Sequence, residues 1–376
     1  MIKTAPVHYH LGQFPPRELD WPQLIPLIGP ANAGLARYDG LLSAIPNAHI
    51  LLSPLPIQEA VLSSKIEGTH VTMAEFLEIE AGGESAAITQ PKRDDAEEVL
   101  NYRNAMRACI TEMEHRPFSQ QILRAAHALL MQGVRGRDKS PGSYRKDQNW
   151  IGPKGCTIEE AGFVPIAPEH LQNGMDAWES YLGSTSEPDK LVQLAILHVE
   201  FEALHPFKDG NGRLGRMLIP LFLYQSKLLT SPDFYMSGYL EANREEYQER
   251  LRAVSRDGDW TRWCAFFLQG IREQAAENER KARAILSLYD RVKKEVVDLT
   301  RSQHSLRAVD FIFQTPIFSA PMFTQQSDIP KPTAGRILTL LRNDGLLHAI
   351  REGRGRRPGI YAFRELLNIA EGTEVF

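Results

Sequence analysis

The amino-acid sequence predicts a mostly α-helical protein. Two runs, at residues 190–204 and 214–223, are apolar on nearly every face, which is typical of helices buried at the centre of a fold. A third stretch, at 260–271, repeats its aromatic residues at helical spacing. Residues 272–300 alternate positive and negative charges, as solvated helices do.

Composition limits the class of protein. The chain has 376 residues and a net charge of −4, which gives no overall attraction to nucleic acid. Its three cysteines, Cys109, Cys156 and Cys264, lie far apart, which argues against a disulfide framework and a zinc cluster. No apolar run reaches membrane-spanning length and the first residues lack an apolar signal-peptide core, so we expect a cytoplasmic protein.

The pattern of turn formers and helical periodicity predicts four parts. Residues 1–115 form a helical N-terminal region. It includes a helix at 58–66, which Gly68 terminates. Residues 116–275 form the core, 276–300 a helical connector, and 301–376 a C-terminal domain. Within the core, turn formers between residues 144 and 165 predict a β-hairpin.

The segment 205–216, His-Pro-Phe-Lys-Asp-Gly-Asn-Gly-Arg-Leu-Gly-Arg, predicts an anion-binding loop. Pro206 ends the first buried helix, and the residues after it suit a tight loop because glycine and asparagine tolerate positive φ. Gly210 and Gly212 allow backbone N–H groups to turn inward around an anion. The loop precedes the second buried helix, whose N-terminus favours phosphate through its unpaired N–H groups and its dipole.

Charged residues of the same segment predict polyphosphate chemistry. Arg213 and Arg216 are three residues apart, so on a helix both guanidinium groups lie on one side and can bind phosphate oxygens. Asp209 suits a hard cation, because Mg²⁺ takes one or two carboxylates together with substrate phosphates. An imidazole has a pKa near neutrality, so His205 is suited to take a proton from an attacking hydroxyl.

A metallohydrolase site is the less favoured alternative for this region. His198, Glu202 and His205 follow one another at spacings of four and three residues. This is not a known zinc-binding spacing, and it leaves the glycines and both arginines without a role.

The segment 205–216 resembles the signature of the Fic family, His-Pro-Phe-x-Asp-Gly-Asn-Gly-Arg-x-x-Arg, and every fixed position matches. Most members of this family transfer AMP from ATP to protein hydroxyls. The resemblance implies that His205 is the general base, that Phe207 anchors the loop on the core, and that Asp209 binds Mg²⁺ between the α- and β-phosphates. It also implies an ATP-binding set from the same segment: Lys208, Asp209, Gly210, Asn211 (at the α-phosphate), Gly212, and Arg213 and Arg216 (at the β- and γ-phosphates).

Residues 63–68, Ser-Ser-Lys-Ile-Glu-Gly, resemble the inhibitory pattern of the same family, Ser or Thr, three residues, then Glu-Gly or Glu-Asn. Ser63 and Glu67 are its fixed positions here. The resemblance implies that the Glu67 carboxylate binds Arg216 in place of the γ-phosphate, so that ATP binds only in a non-productive pose. We therefore expect the self-inhibited class with an N-terminal inhibitory helix.

Two further segments resemble parts of Fic proteins. The predicted hairpin, near residues 147–165, resembles the flap that holds the target protein by strand addition. Residues 239–247 resemble the helix that borders the adenine pocket, with Tyr239 and Asn243 on one face. For these two side chains, packing in the core is the alternative.

The C-terminal tail predicts a winged helix. Residues 301–376 contain ten Lys or Arg and seven Asp or Glu, so the tail is basic although the whole chain is acidic. Helices at 304–314, 322–327 and 333–344 precede strands at 346–351 and 359–363. This pattern resembles the module often fused to this class. Thr333, Arg336 and the arginines between the strands are the positions where DNA phosphates would bind, and protein binding is the alternative.

The resemblance implies a helical Fic core with a β-hairpin flap, an N-terminal helical region and a C-terminal winged helix. We predict a protein adenylyltransferase that uses ATP and Mg²⁺ and releases pyrophosphate. We also predict a homodimer, because many relatives are dimers. The alternatives are transfer of another phosphate-containing group, removal of AMP from a target, and a nucleotide-sensing DNA-binding regulator. Arg213 weighs against phosphate transfer, because relatives with that activity have Ala-Asn-Lys there.

Overall fold

Helices make up most of the described chain. The structure is a computed structural model and describes residues 5–45, 47–83, 88–133, 138–153, 155–354 and 357–375. Its strands are β1 (Val7–His8), β2 (Phe163–Val164), β3 (Ile317–Ser319), β4 (His348–Arg351) and β5 (Ile360–Ala362). Its helices are α1 (Trp21–Ala44), α2 (Ala48–Leu51), α3 (Pro54–Ile66), α4 (Met73–Glu80), α5 (Gln90–Met113), α6 (Gln120–Leu130), α7 (Pro168–Leu182), α8 (Lys190–Leu204), α9 (Asn211–Gln225), α10 (Ser237–Ala242), α11 (Arg244–Asp257), α12 (Trp260–Thr300), α13 (Ser305–Gln314), α14 (Ala320–Gln326), α15 (Lys331–Asn343) and α16 (Arg364–Glu371).

The chain divides into two compact units. The first comprises Met1–Asp39, Leu62–Glu67 and Leu100–Ala276, and the second comprises Gly40–Val61, Gly68–Val99 and Glu277–Phe376. Each unit is therefore assembled from three separate segments of sequence. The predicted division at residues 115, 275 and 300 stays a prediction.

The first unit is built around α8, which is buried along nearly its whole length. The side chain of Asp189 caps its N-terminus by accepting hydrogen bonds from the N–H groups of Leu191 at 2.9 Å and Val192 at 3.0 Å. The helices α7, α9 and α11 all pack against α8. The helix predicted at 190–204 is thus confirmed, and its all-round apolar pattern follows from its central position.

Two other helices of the core are longer than their sequence patterns predict. The second buried helix, predicted at 214–223, is α9 and begins already at Asn211, within the glycine-rich segment. The stretches 260–271 and 272–300 are one continuous helix, α12. The predicted connector is therefore the second part of this single helix.

The predicted hairpin is present in a minimal form. Ile151 forms an antiparallel bridge with Phe163. The other edge of β2 pairs in parallel with β1, a strand that the sequence did not reveal. Lys154, within the predicted flap, lies outside the described residues. Binding of a target protein by this segment stays a prediction.

The second unit contains an antiparallel sheet of order β3-β5-β4. Helices α13, α14 and α15 and the strands β4 and β5 lie within two residues of their predicted positions. Edge-to-face contacts of Phe311 with Phe318 and Phe323 lie in the core of this unit. The winged-helix assignment and its DNA binding stay predictions, and Gly355 and Arg356 between β4 and β5 are outside the described residues.

No helix in the described ranges combines the length and the apolar character that a membrane-spanning segment needs.

Candidate active site

The loop between α8 and α9 has a fixed backbone conformation. We refer to residues 205–210 as the motif loop. His205 ends α8 in the left-handed conformation, with φ 46° and ψ 59°, which costs an L-residue about 1–2 kcal/mol. Gly210, with φ 78°, precedes the first residue of α9. The predicted arrangement, a tight loop that ends at a helix N-terminus, is therefore present.

Hydrogen bonds within the segment close the motif loop. The side-chain oxygen of Asn211 accepts a hydrogen bond from the Phe207 N–H at 2.9 Å, and its NH₂ group donates to the Phe207 carbonyl at 2.9 Å. The side chain of Asn211 is buried and committed to these contacts. The contact that the resemblance assigns to Asn211, with the α-phosphate, stays a prediction.

The Phe207 ring lies under the motif loop as an anchor. It is fully buried and stacks on the imidazole of His127 with 3.8 Å between ring centroids. His127 also supports the backbone, since its Nδ1 accepts from the Gly142 N–H at 2.8 Å and its Nε2 lies 3.1 Å from the Asp209 carbonyl oxygen. Burial lowers the pKa of His127 to about 4. A neutral ring with Nδ1 as acceptor donates from Nε2, so both contacts are satisfied.

The imidazole of His205 is in the form that accepts a proton. Its Nδ1 lies 3.3 Å from the carbonyl oxygen of Glu202. A carbonyl only accepts, so Nδ1 carries the hydrogen and Nε2 keeps its lone pair. Burial lowers the pKa of His205 to about 4, so the ring is uncharged at neutral pH.

Arg216 is held by two residues of the predicted inhibitory pattern. Its Nη2 lies 2.6 Å from the Oε1 of Glu67 and donates to the Ser63 carbonyl at 2.8 Å. Its Nε donates to the Ser63 hydroxyl at 2.9 Å. We refer to these three bonds as the Arg216 clamp. The guanidinium is only 2% exposed, so few other acceptors can reach it from solvent.

Charges in the clamp stabilise each other. Burial alone would raise the pKa of Glu67, but the charge of Arg216 and its hydrogen bond outweigh this effect and lower the pKa of the carboxyl. Burial alone would lower the pKa of Arg216, whereas the Glu67 charge raises it. Both groups are therefore ionised at neutral pH.

The Glu67 carboxylate lies at the N-terminus of α9, where the sequence predicts a phosphate. A Cβ added to Gly212 would lie 2.2 Å from the Glu67 Oε1, so only glycine permits this approach. An anion is favoured at this position by the helix dipole and by the first N–H groups of the helix. The side chain that contacts Arg216 thus also contacts the predicted anion nest.

The remaining charged residues of the segment lie around Asp209. Its Oδ1 accepts from the Gly210 N–H at 2.6 Å and lies 3.4 Å from the Nη2 of Arg213. The Arg213 guanidinium is buried beside it. Lys208 points toward Asp147, with 3.6 Å between Nζ and Oδ2. The structure therefore brings Asp209 and Arg213 together and leaves Lys208 at the surface.

The carboxylate of Asp209 is accessible to a cation. In the described residues no group of three or more His, Cys, Asp or Glu side chains forms a metal cage. The side chain of Asp209 is 46% exposed. A single half-exposed carboxylate fits Mg²⁺, which binds proteins through one or two carboxylates and completes its shell with waters and substrate phosphates.

A cavity of about 400 Å³ opens beside these residues. Glu67, His205, Gly212 and Arg216 form one part of its wall. The flap contributes Ile151, Gly152, Pro153, Gly162 and Phe163, and α11 contributes Tyr247, Gln248, Leu251 and Arg252. His205, the clamp and the predicted flap therefore face a common space large enough for part of a nucleotide.

The predicted adenine-pocket residues lie elsewhere. The Tyr239 ring packs against Phe266 with 5.5 Å between centroids, and the Asn243 side chain donates to the Tyr239 carbonyl at 2.9 Å. Neither residue lines the cavity, and their role stays a prediction. Gln248 and Leu251 line it instead. The signal in the sequence was that Leu251 lies four residues after Tyr247 along α11, but core helices have the same spacing.

His198, the first residue of the alternative metal site, has other partners. His198 is fully buried, with its Nδ1 3.0 Å from the Gly215 carbonyl oxygen and its Nε2 2.9 Å from the Tyr247 hydroxyl. Both nitrogens are thus occupied. Burial raises the pKa of Glu202 to about 7. Its Oε1 has no hydrogen-bond partner among the described residues.

Comparisons with known proteins agree with this geometry. Residues 25–111 match the Fic/DOC family N-terminal model, and residues 117–223 match the Fic/DOC family model. A probable protein adenylyltransferase of Aquifex aeolicus is 30% identical over 116 residues, which cover 31% of this chain and 34% of that protein. A protein adenylyltransferase of Caenorhabditis briggsae is 36% identical over 106 residues, or 26% of this chain and 21% of that protein. The chain thus spans about a third or less of these relatives.

Solved structures have the same fold. A Fic family protein from Desulfovibrio desulfuricans has a TM-score of 0.60 at 21% identity, covering 93% of this chain and 98% of the other. A Fic domain containing signaling protein from Bacteroides thetaiotaomicron has a TM-score of 0.54 at 15% identity, covering 67% of this chain and 97% of the other. The predicted mostly helical Fic fold is confirmed. Through its two matched domains, this chain belongs to the Fic/DOC family.

Proposed function

We propose that this protein is a protein adenylyltransferase that transfers AMP from ATP to a Ser, Thr or Tyr hydroxyl of a target protein, and that Glu67 inhibits it. The observation that carries the proposal is the Arg216 clamp beside the neutral imidazole of His205. Relatives named protein adenylyltransferase support the reaction class.

The side chains of the site supply the parts of an in-line transfer. The Nε2 of His205 takes the proton of the target hydroxyl as its oxygen bonds to the α-phosphorus of ATP. The bond between the α-phosphorus and the bridging oxygen breaks, and pyrophosphate leaves with that oxygen. Arg213 and Arg216 bind the leaving phosphates, whose charge rises during this step. Asp209 would hold Mg²⁺, which supplies further charge neutralisation on the phosphates when bound.

Inhibition follows from competition for one guanidinium. Arg216 cannot give the same N–H groups to Glu67 and to the γ-phosphate. With Glu67 bound, the triphosphate has lost a ligand and meets a carboxylate at the N-terminus of α9, so like charges repel. Glu67 remains 38% exposed, so its carboxylate has an open side toward which it can be displaced.

The flap supports a protein as the acceptor. The backbone of Ile151 pairs with Phe163, and the next residues, Gly152 and Pro153, line the cavity beside His205. A peptide added to this edge by main-chain hydrogen bonds would present its hydroxyl to the base with little demand on its sequence. We therefore propose that the target protein binds at residues 147–165.

Mass spectrometry tests the reaction and the inhibition together. Purified wild type, Glu67→Gly, and Glu67→Gly with His205→Ala are incubated with ATP and Mg²⁺, and intact and peptide masses are measured. We expect Glu67→Gly alone to gain AMP on a hydroxyl residue. A cell lysate with labelled ATP supplies candidate targets if self-modification is absent.

Other outcomes favour the alternatives. Loss of AMP from a modified lysate upon addition of wild type, with no gain in any variant, would indicate an AMP-removing enzyme. Gain of a group with a different mass would indicate transfer of another phosphate-containing group. No change in either assay would leave a nucleotide-sensing regulator as the leading explanation.

A further inference from the structure

Arg145 is a buried cation that lies outside the motif loop and the Arg216 clamp. It follows Tyr144 at the start of the flap segment and is only 3% exposed. In the described part of the chain, no carboxylate lies within ion-pair distance of its guanidinium. A buried guanidinium is costly unless acceptors surround it, so its partners should explain its presence.

The partners of Arg145 are backbone carbonyl groups of the catalytic region. Its Nε donates to the carbonyl of His205 at 2.9 Å, and its Nη2 donates to the carbonyl of Leu204 at 3.2 Å. Its own backbone N–H donates to the Pro206 carbonyl at 2.9 Å. Arg145 therefore binds three consecutive carbonyl groups at the end of α8 and the start of the motif loop.

The same guanidinium binds the flap. Its Nη1 donates to the carbonyl of Asp147 at 3.2 Å, and its Nη2 also donates to the carbonyl of Ile166. Asp147 and Ile166 bracket the segment in which Ile151 pairs with Phe163. One planar fork thus joins both ends of the flap to the backbone of His205.

The backbone of His205 needs such support. The left-handed conformation of a non-glycine residue is strained and persists only where its surroundings enforce it. The last carbonyl groups of a helix lack intrahelical hydrogen-bond donors and lie at the negative end of the helix dipole. A cation at this position donates the missing hydrogen bonds and stabilises the dipole. Burial lowers the pKa of Arg145 to about 10, and the group therefore remains charged at neutral pH.

We propose that Arg145 is the positioning residue for His205, holding its backbone in the conformation that aims the imidazole into the cavity and joining it to the flap. As a role in AMP transfer, this rests on the proposed function. It does not depend on any contact between Arg145 and ATP.

Kinetics in the Glu67→Gly background test the proposal. Arg145→Gln removes the charge and the fork, and Arg145→Lys keeps the charge without the fork. We expect both to lower the self-modification rate at saturating ATP by about a hundredfold, because misplacing a catalytic group by about 1 Å costs that much. The ATP concentration for half-maximal rate should stay within about twofold, since the phosphate-binding residues are unchanged. Arg262→Gln, at an exposed arginine of the same unit, is the matched control.

Hydrogen exchange provides a readout that does not depend on activity. Arg145→Gln should increase amide exchange in residues 204–210 relative to Arg262→Gln, with the remainder of α8 still protected. Full activity in Arg145→Lys would overturn the proposal, because charge alone would then suffice. The proposal would also be overturned if the variants changed only the ATP concentration for half-maximal rate and kept the rate at saturating ATP. Unchanged amide exchange in residues 204–210 would overturn it as well. If the Glu67→Gly parent itself transfers nothing, the proposed function fails and hydrogen exchange alone decides the role of Arg145.

Discussion

Arg216 is the residue on which both proposed states of the site depend. Its guanidinium has three hydrogen bonds to Ser63 and Glu67, and its burial leaves little room for additional acceptors. A γ-phosphate that binds it must therefore replace these partners. The Glu67 carboxylate adds the attraction of opposite charges to its hydrogen bond, so it contributes more to the clamp than the neutral Ser63 hydroxyl.

Ser63→Ala should activate the enzyme in part. The substitution removes one hydrogen bond to Arg216 and leaves the bonds to the Ser63 carbonyl and to Glu67. A hydrogen bond to a charged group contributes about 1.5–3 kcal/mol, so we expect AMP incorporation to increase by about tenfold to a hundredfold over wild type. Initial rates with labelled ATP measure it, and Glu67→Gly should exceed it.

Ser64→Ala is the matched control for this variant. Ser64 is buried in the same helix, and its hydroxyl has no hydrogen-bond partner among the described residues. Its rate should equal that of wild type. Equal activation by both substitutions would mean that α3 is loosened generally and that the Ser63 hydroxyl has no specific role.

The pH dependence of the rate of the Glu67→Gly variant should reflect the lowered pKa of His205. Its pKa is lowered from 6.5 to about 4, so the imidazole loses its proton at about pH 4 and is a competent base above it. In the variant the Glu67 charge, which raises this pKa, is absent. The rate at limiting ATP should therefore remain level as the pH falls through 6.5 and decline only toward 4. A decline centred on 6.5 would contradict the burial of this base.

At the scale of elements, close helix contacts hold the site in place. In α12, a Cβ added to Gly270 would lie 2.7 Å from the Tyr239 ring of α10. An aromatic ring in a packed core cannot move aside at low cost. The helix α10 leads directly into α11, which forms part of the cavity wall.

Gly270→Ala should therefore destabilise the protein. Overpacking should lower the free energy of unfolding by about 1–3 kcal/mol, and the better helix propensity of alanine should offset about 1 kcal/mol of this loss. The unfolding midpoint in a thermal scan should fall by about 1 °C per kcal/mol of net loss, because the unfolding entropy grows with the 376 residues of the chain. Gly29→Ala is the control, because a Cβ at that position of α1 has no heavy atom within 4 Å. It should raise the midpoint, and a rise in both variants would show that the contact with Tyr239 is soft.

Local sequence signals predicted the elements that carry the site. The limits of α8 and the loop at Gly210 follow from contiguous residues, in which apolar periodicity, proline and glycine all agree. The contact between Glu67 and Arg216 joins residues far apart in sequence, and only the family resemblance predicted it.

The sequence could not reveal features formed by distant segments. A strand as short as β1 has too few residues for an alternating pattern, and its pairing with β2 depends on the folded chain. Arg145 lies in a polar turn, where a solvated arginine is the ordinary expectation. The cavity residues of α11 had the same helical spacing as core residues, so their exposure to the cavity required the tertiary structure.

At the scale of the whole molecule, the site residues belong to a single unit. Glu67, His205 and Arg216 all lie in the first unit, although their segments are separated in sequence. The basic residues between β4 and β5 belong to the second. Chemistry at the cavity should therefore not require those arginines.

Substitution of exposed arginines in the second unit tests whether the reaction at the cavity is independent of them. Arg354→Ala with Arg357→Ala, in the Glu67→Gly background, should leave AMP incorporation within about twofold, as is usual for surface changes. Binding of duplex DNA, measured by fluorescence anisotropy at two salt concentrations, tests the predicted DNA contact in the same proteins. Loss of AMP incorporation in this variant would show that the second unit takes part in the reaction.

The most direct test of the central claim compares two labels. Wild type and Glu67→Gly are incubated with Mg²⁺ and with ATP labelled on either the α- or the γ-phosphate, and protein-bound label is counted. AMP transfer inhibited by Glu67 predicts incorporation of the α-label by Glu67→Gly, little incorporation by wild type, and no γ-label in either. Incorporation of the γ-label, or equal α-label in both proteins, would contradict the account.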